Sequence, residues 1–121
     1  IRIIELPSFI KEIDNKSFIG CCSLEKIIIP SSVTRIGDKA FKKCVSLREI
    51  LIPSSVNYIG EGVFNECQSL KKIELLASID TIKRTTFSNC SSLKQITIPS
   101  SVTLIEFATF CNFRTYNNNI T

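Results

Sequence analysis

Apolar residues recur along this chain at a fixed interval of 23 residues. Leu24, Leu47, Leu70 and Leu93 form one column, and Ile4, Ile27, Ile50, Ile73 and Ile96 form the next. Further columns are Leu6, Ile29, Ile52, Leu75 and Ile98, then Ile10, Val33, Val56, Ile79 and Val102. Ile13, Ile36, Ile59, Ile82 and Ile105 follow, then Phe18, Phe41, Phe64, Phe87 and Phe110, and Cys21, Cys44, Cys67 and Cys90 close the cycle. Apolar columns kept in register from end to end make the repeat the unit in which structure and function have to be read.

Within the unit Leu47–Ser69 the spacing assigns a task to each part. In Leu47-x-x-Ile50-x-Ile52-Pro53, residues 50 and 52 alternate as in a β-strand, so both point inward while Leu51 points out. Pro53 ends the strand because it has no N–H to give to a ladder. Ser54 and Ser55 turn the chain, and Val56 and Ile59 bring it back to the core through a short extended or irregular stretch. Gly60, like Gly37, reads as a bend needing permissive dihedrals. Beyond it, Val63, Phe64 and Cys67 have the spacing of one face of a helix, which predicts one or two helical turns. No unit can bury its own apolar side, so the units must stack.

A period in this range with this Leu/Ile spacing is that of leucine-rich repeats. The predicted fold is an α/β leucine-rich-repeat solenoid of about five 23-residue units, with parallel β-strands on the concave face and short helical turns on the convex side. The expected units are 1–23, 24–46, 47–69, 70–92 and 93–115, making residues 1–115 one domain and 116–121 a polar tail. The first unit is irregular at its turn, and the fourth replaces Pro-Ser by Leu76-Ala77 and glycine by Lys83. Phe107, Phe113 and Tyr116 are candidates to cover the last unit. With no evident polar cap at either end, end-to-end self-association through uncapped repeats is a further expectation. Ile1 opens directly on a repeat position with no Met before it, as in a piece of a longer chain.

The pattern Cys44-x-Ser46-Leu47-x-x-Ile50-x-Ile52-Pro53-Ser54-Ser55-Val56-x-x-Ile59-Gly60-x-x-Val63-Phe64 resembles the BspA-like leucine-rich repeat of bacterial and protist surface proteins. The resemblance spans about residues 1–113. It implies adhesion to host or matrix proteins, or other protein binding, and it brings no catalytic residues with it.

Composition narrows the chemistry. The chain has 121 residues, 44% of them apolar, which suits one continuous core. Its net charge of +4 is spread among residues of alternating sign, and the aromatic columns belong to the core, so no nucleic-acid partner is expected. No apolar run reaches the roughly 18 residues of a membrane span, and direct membrane insertion is not expected. There is no histidine, which removes the usual general base and the commonest metal ligand, so neither catalysis nor a cofactor is expected. The columnar cysteines read as free, packed thiols, with disulfides between neighbouring units or a metal as alternatives. Cys22 and Cys111 lie off the column and are expected to be more exposed. Asn15-Lys16-Ser17, Asn89-Cys90-Ser91 and Asn119-Ile120-Thr121 match the glycosylation pattern and lean toward export.

The outward strand positions are the candidate binding surface. They include Lys26, Glu49, Lys72 and Gln95 in one column and Ile28, Leu51, Glu74 and Thr97 in the other. Lys26, Glu49 and Lys72 are expected to form an alternating charge ladder. Beside it, Ile28 and Leu51 make an apolar spot where nothing in the same repeat covers them. These residues point to a protein partner and to an adhesion or recognition segment of a cell-surface or secreted protein. An intracellular scaffold or regulatory-subunit domain, cytoplasmic or nuclear, is the alternative.

Overall fold

The computed structural model describes residues 3–111. Over that span the chain winds as a parallel β-solenoid of about four turns. Four strands, β1 (Ile3–Glu5), β3 (Lys26–Ile28), β5 (Glu49–Ile52) and β7 (Lys72–Leu75), pair in the order β1-β3-β5-β7. Between them the chain returns through β2 (Glu12–Ile13), β4 (Arg35–Ile36) and β6 (Tyr58–Ile59), which form a second parallel sheet. Farther along the same columns, β8 (Thr81–Ile82) pairs with β9 (Leu104–Ile105). Partners are residues of the same column: Ile4 with Ile27, Ile36 with Ile59, Ile50 with Ile73 and Ile82 with Ile105. Each inward side chain therefore lies on its counterpart, about 4.8 Å away at strand spacing.

The expected alternation holds in β3, β5 and β7, whereas in β9 both Leu104 and Ile105 are exposed, although the column of Ile105 is inward in the earlier coils. In β5, Ile50 and Ile52 are buried while Glu49 and Leu51 are exposed. Pro53 is followed by a turn in which the Val56 N–H donates to the Pro53 carbonyl at 3.1 Å. The second serine does more than turn the chain. Ser55 Oγ donates to the Val33 carbonyl of the preceding coil at 2.7 Å, and Ser101 Oγ to that of Ile79 at 2.6 Å.

The return after Gly60 is not the helix that its spacing predicted, and no helix occurs among the described residues. Two columns hold positive φ: Lys16, Lys39, Gly62, Thr85 and Ala108 at 57 to 63°, and Gly20, Lys43, Glu66 and Asn89 at 62 to 70°. A left-handed residue interrupts a right-handed helix. Between these residues successive amides point to different partners. Ala40 and Cys44 donate within the coil, to Gly37 and Phe41, whereas Lys39, Phe41 and Lys43 donate to Glu61, Val63 and Asn65 of the next coil at 2.9, 3.0 and 2.9 Å. A helix would direct all of them to carbonyls four residues back and leave the neighbouring coil without donors. The inward face read from the spacing survives the change, since Val63, Phe64 and Cys67 are fully buried.

Gly37 and Gly60 serve a different need from the one their position suggested. Neither has a positive φ. A Cβ at Gly37 would lie 2.9 Å from the Asp14 carbonyl carbon, and one at Gly60 would lie 2.7 Å from the Asp38 nitrogen. The space is taken because Asn15 Oδ1 accepts from the Asp38 N–H at 2.8 Å and Asp38 Oδ1 from the Glu61 N–H at 3.1 Å, folding each side chain over the next coil. Where Lys83 replaces glycine, the preceding coil carries Glu61, which pairs with the Arg84 side chain at 3.2 Å instead.

The core is a set of vertical stacks. Phe18, Phe41, Phe64, Phe87 and Phe110 stack with centroids 5.4, 5.7, 5.8 and 5.7 Å apart and planes within 10° of parallel. Such pairs add about 0.5–1.5 kcal/mol each beyond the burial of their area. Beside them, the Cys44, Cys67 and Cys90 thiols donate to the carbonyls of Phe18, Phe41 and Phe64 at 3.1, 3.1 and 3.0 Å. Phe107, a candidate to cover the last unit, is 85% exposed. Phe113, Tyr116 and the 116–121 tail lie outside the described residues.

Phe64 is fully buried between Phe41 and Phe87, whereas Phe110 is only partly buried and stacks on Phe87. Phe64→Ala should therefore cost about 3 to 5 kcal/mol in urea titrations, and Phe110→Ala distinctly less. Equal losses at the two sites would contradict the stack.

Candidate functional site

The outward side chains of β3, β5 and β7 surround a groove of about 310 Å³. Lys26, Ile28, Glu49, Leu51, Lys72 and Glu74 line it, together with Ile27, Ile29 and Ile50. They meet because the sheet is parallel and in register. Lys26 pairs with Glu49, Glu49 with Lys72, and Leu51 with Glu74, while strand alternation sends all of them to the side away from the core. Ile28 and Leu51 are each 43% exposed, a large fraction for aliphatic side chains in the middle of a sheet. Six of the eight candidate residues thus come together. Gln95 and Thr97 are exposed but lie outside the groove, because their stretch forms only an isolated bridge at Ile96 and no strand.

The charge ladder expected along the first column does not form as ion pairs. Lys72 Nζ instead meets Glu74 Oε1 of its own strand at 3.6 Å. Among the described residues no ion pair joins Lys26 to Glu49 or Glu49 to Lys72. Side chains two apart on one strand share a face, and this same-strand pairing competes with the in-register neighbour.

A second groove, about 680 Å³, extends from Tyr58 of β6 to Leu104 and Ile105 of β9, and the repeat pattern alone does not predict it. Asp38, Tyr58, Glu61, Lys83 and Arg84 line one part, and Leu104, Ile105, Glu106 and Phe107 the rest. Its organising residue is Tyr58. The Arg35 guanidinium sits 4.2 Å and the Lys83 ammonium 5.3 Å from the ring centroid, and Glu12 holds Arg35 at 3.6 Å. Cation–aromatic contacts of this kind contribute roughly 0.5–1 kcal/mol at exposed sites. The sequence signal was there: Arg35 lies one period before Tyr58, and both precede a columnar isoleucine.

Among the described residues no group of three or more His, Cys, Asp or Glu side chains is placed to hold a metal ion. No helix there is long and apolar enough to cross a membrane. The six cysteines are free thiols, with Cys22 and Cys111 exposed. Burial pushes Cys44 and Cys90 up to about 12 from the ordinary 9.0, and it raises Cys67 as well. Of the glycosylation motifs, Asn15 already accepts a backbone hydrogen bond from Asp38, Asn89 is half-buried, and Asn119 lies outside the described residues.

Parallel coils with a 23-residue register, an inward Leu/Ile strand and stacked aromatic returns define a leucine-rich-repeat solenoid. The BspA type leucine rich repeat region matches residues 1–120 in six copies, and the chain belongs to that family. The T. pallidum leucine rich repeat protein TpLRR is similar at 36% identity with a TM-score of 0.86, over 90% of this chain and 53% of that one. A leucine-rich repeat protein from Eubacterium ventriosum matches at 32% identity and TM-score 0.87, over 91% of this chain and 30% of its own. The pneumococcal vaccine antigen PcpA matches at 34% identity and TM-score 0.82, over 93% of this chain and 28% of its own. The chain thus spans about half the length, or less, of these solved proteins. A search of the curated proteins finds no match.

The thiol environments make a kinetic prediction. In the native protein near pH 8, a thiol reagent should label Cys22 or Cys111 first and leave Cys44, Cys67 and Cys90 unlabelled until denaturant is added. The sign of the pKa changes also sets an alkaline limit. The folded state keeps protons that the unfolded chain loses near 9, so the thiols' contribution is full below that pH and falls away as pH rises toward about 12. Rapid native labelling at Cys67, or stability rising across that window, would contradict the packed-thiol assignment.

Proposed function

We propose that this chain is a protein-recognition module of a cell-surface protein, with residues 1–115 as the module and its partner bound across β3, β5 and β7. One observation carries the reading. Ile28 and Leu51 form an exposed apolar spot within a groove, ringed by Lys26, Glu49, Lys72 and Glu74. An apolar centre with a charged rim has the makeup of a recognition surface. Gln95 and Thr97 extend the same face beyond the groove. Stacked repeats supply long, rigid surfaces suited to binding, and the reading assigns this chain no reaction. The likeness to PcpA, a vaccine antigen, supports placing the module outside the cell, where adhesion to host or matrix proteins is the role that fits.

One observation favours an intracellular scaffold or regulatory-subunit domain instead. Cys22 and Cys111 are exposed free thiols, which persist best in a reducing compartment. Cys44, Cys67 and Cys90 do not bear on the choice, since burial and hydrogen bonds to carbonyls keep them unreactive in either setting.

The test is the double variant Ile28→Asp with Leu51→Asp, measured against a panel of purified extracellular-matrix proteins. The unaltered chain should bind at least one member, and the variant should lose about tenfold or more in affinity, equivalent to about 1.4 kcal/mol, while circular dichroism and melting temperature stay nearly unchanged. Unchanged binding by the variant would overturn the assignment of this face. Loss of the fold would place both residues in the core.

A further inference from the structure

We infer that the partner of the β3–β5–β7 groove presents a mixed-charge surface in which an acidic and a basic side chain flank an apolar one. The inference rests on the recognition reading above and adds the chemistry of what is recognised. The groove's charges balance, two lysines (Lys26 and Lys72) against two glutamates (Glu49 and Glu74). A polyanion such as nucleic acid, or a uniformly basic segment, would meet as much repulsion as attraction there.

The four charges are not equivalent. Lys72 and Glu74 engage each other at 3.6 Å within β7. Lys26 and Glu49, aligned on adjacent strands, make no ion pair with any described residue. Their ammonium and carboxylate are the pair free to meet a partner.

Lys26 stands two residues before Ile28, and Glu49 two residues before Leu51, so each charge is about 6.6 Å along its strand from the apolar residue on the same face. Lys26 and Glu49 are partners across the two strands, and Ile28 and Leu51 line the same groove, each two residues farther along its strand. A complementary surface places an acid over Lys26, a base over Glu49 and an apolar group over Ile28 and Leu51. The same arrangement discriminates against alternatives, since a like charge at either polar corner is repelled at close range.

The probe is a phage-displayed library of random peptides, panned on the whole chain and on three variants, Lys26→Gln, Glu49→Gln and Ile28→Asp with Leu51→Asp. All four altered side chains are exposed, and a circular dichroism spectrum of each variant, expected to match that of the unaltered chain, checks that the fold is kept. Peptides enriched on the unaltered chain should carry an acidic, a basic and an apolar residue together. Lys26→Gln should remove the enrichment for acid, Glu49→Gln that for base, and the double variant should remove all of it. Enrichment that depends on Ile28 and Leu51 but shows no charge preference, or a preference for one sign, overturns this inference and leaves the recognition reading standing. Enrichment indifferent to the double variant, or none at all, overturns both.

Discussion

The structure depends on one constraint: every coil must leave backbone donors and acceptors facing the coil next to it. Strands do this without adjustment. A helical return would not, because it consumes its own amides. The chain resolves the conflict by alternating its turn amides, so that Phe41 donates to Val63 of the next coil while Ala40 donates to Gly37 of its own. Left-handed residues such as Lys39 and Lys43 make the alternation geometrically possible. Hydrogen bonds between coils therefore run along both strand sets and through the return.

The side-chain columns follow from that register. Once equivalent residues are forced to lie one over another, a phenylalanine in each coil becomes a stack, and a cysteine in each coil can reach the carbonyl of the phenylalanine below it. The pairing of Asn15 with Gly37 and of Asp38 with Gly60 is the same logic at the surface, one coil's side chain occupying the space the next coil leaves empty. Exposed positions obey it too. The groove exists because three strands in register set Lys26, Glu49 and Lys72 side by side, with Ile28 and Leu51 next to them.

How much of this could be read in advance differs by element. The inward columns and the outward face were legible because strand alternation depends only on chain geometry, and six of eight candidate residues met as a result. The return is not legible in this way, because Val63, Phe64 and Cys67 have a spacing that a helix and a run of turns can share. The residues that distinguish the two, Lys39, Lys43, Glu66 and Thr85, are not glycines and carry no mark of positive φ; Gly20, Gly62 and Asn89 in the same columns hint at it. The second groove is hidden for a related reason: an extended segment as short as Tyr58–Ile59 shows too little alternation to declare a strand, so the pattern alone does not set Arg35 beside Tyr58.

A rigid stack of this kind suits recognition, since a partner meets side chains whose spacing the backbone has already set and loses little by ordering them. That advantage exists only if the coils are joined through the return as well as through the strands. The direct measurement is a long-range HNCO experiment, which detects a hydrogen bond as a coupling between its amide nitrogen and its carbonyl carbon. The account predicts correlations from the Phe41 nitrogen to the Val63 carbonyl and from the Phe64 nitrogen to that of Thr86. A correlation from Phe41 to the Gly37 carbonyl, as a helix would give, would contradict it.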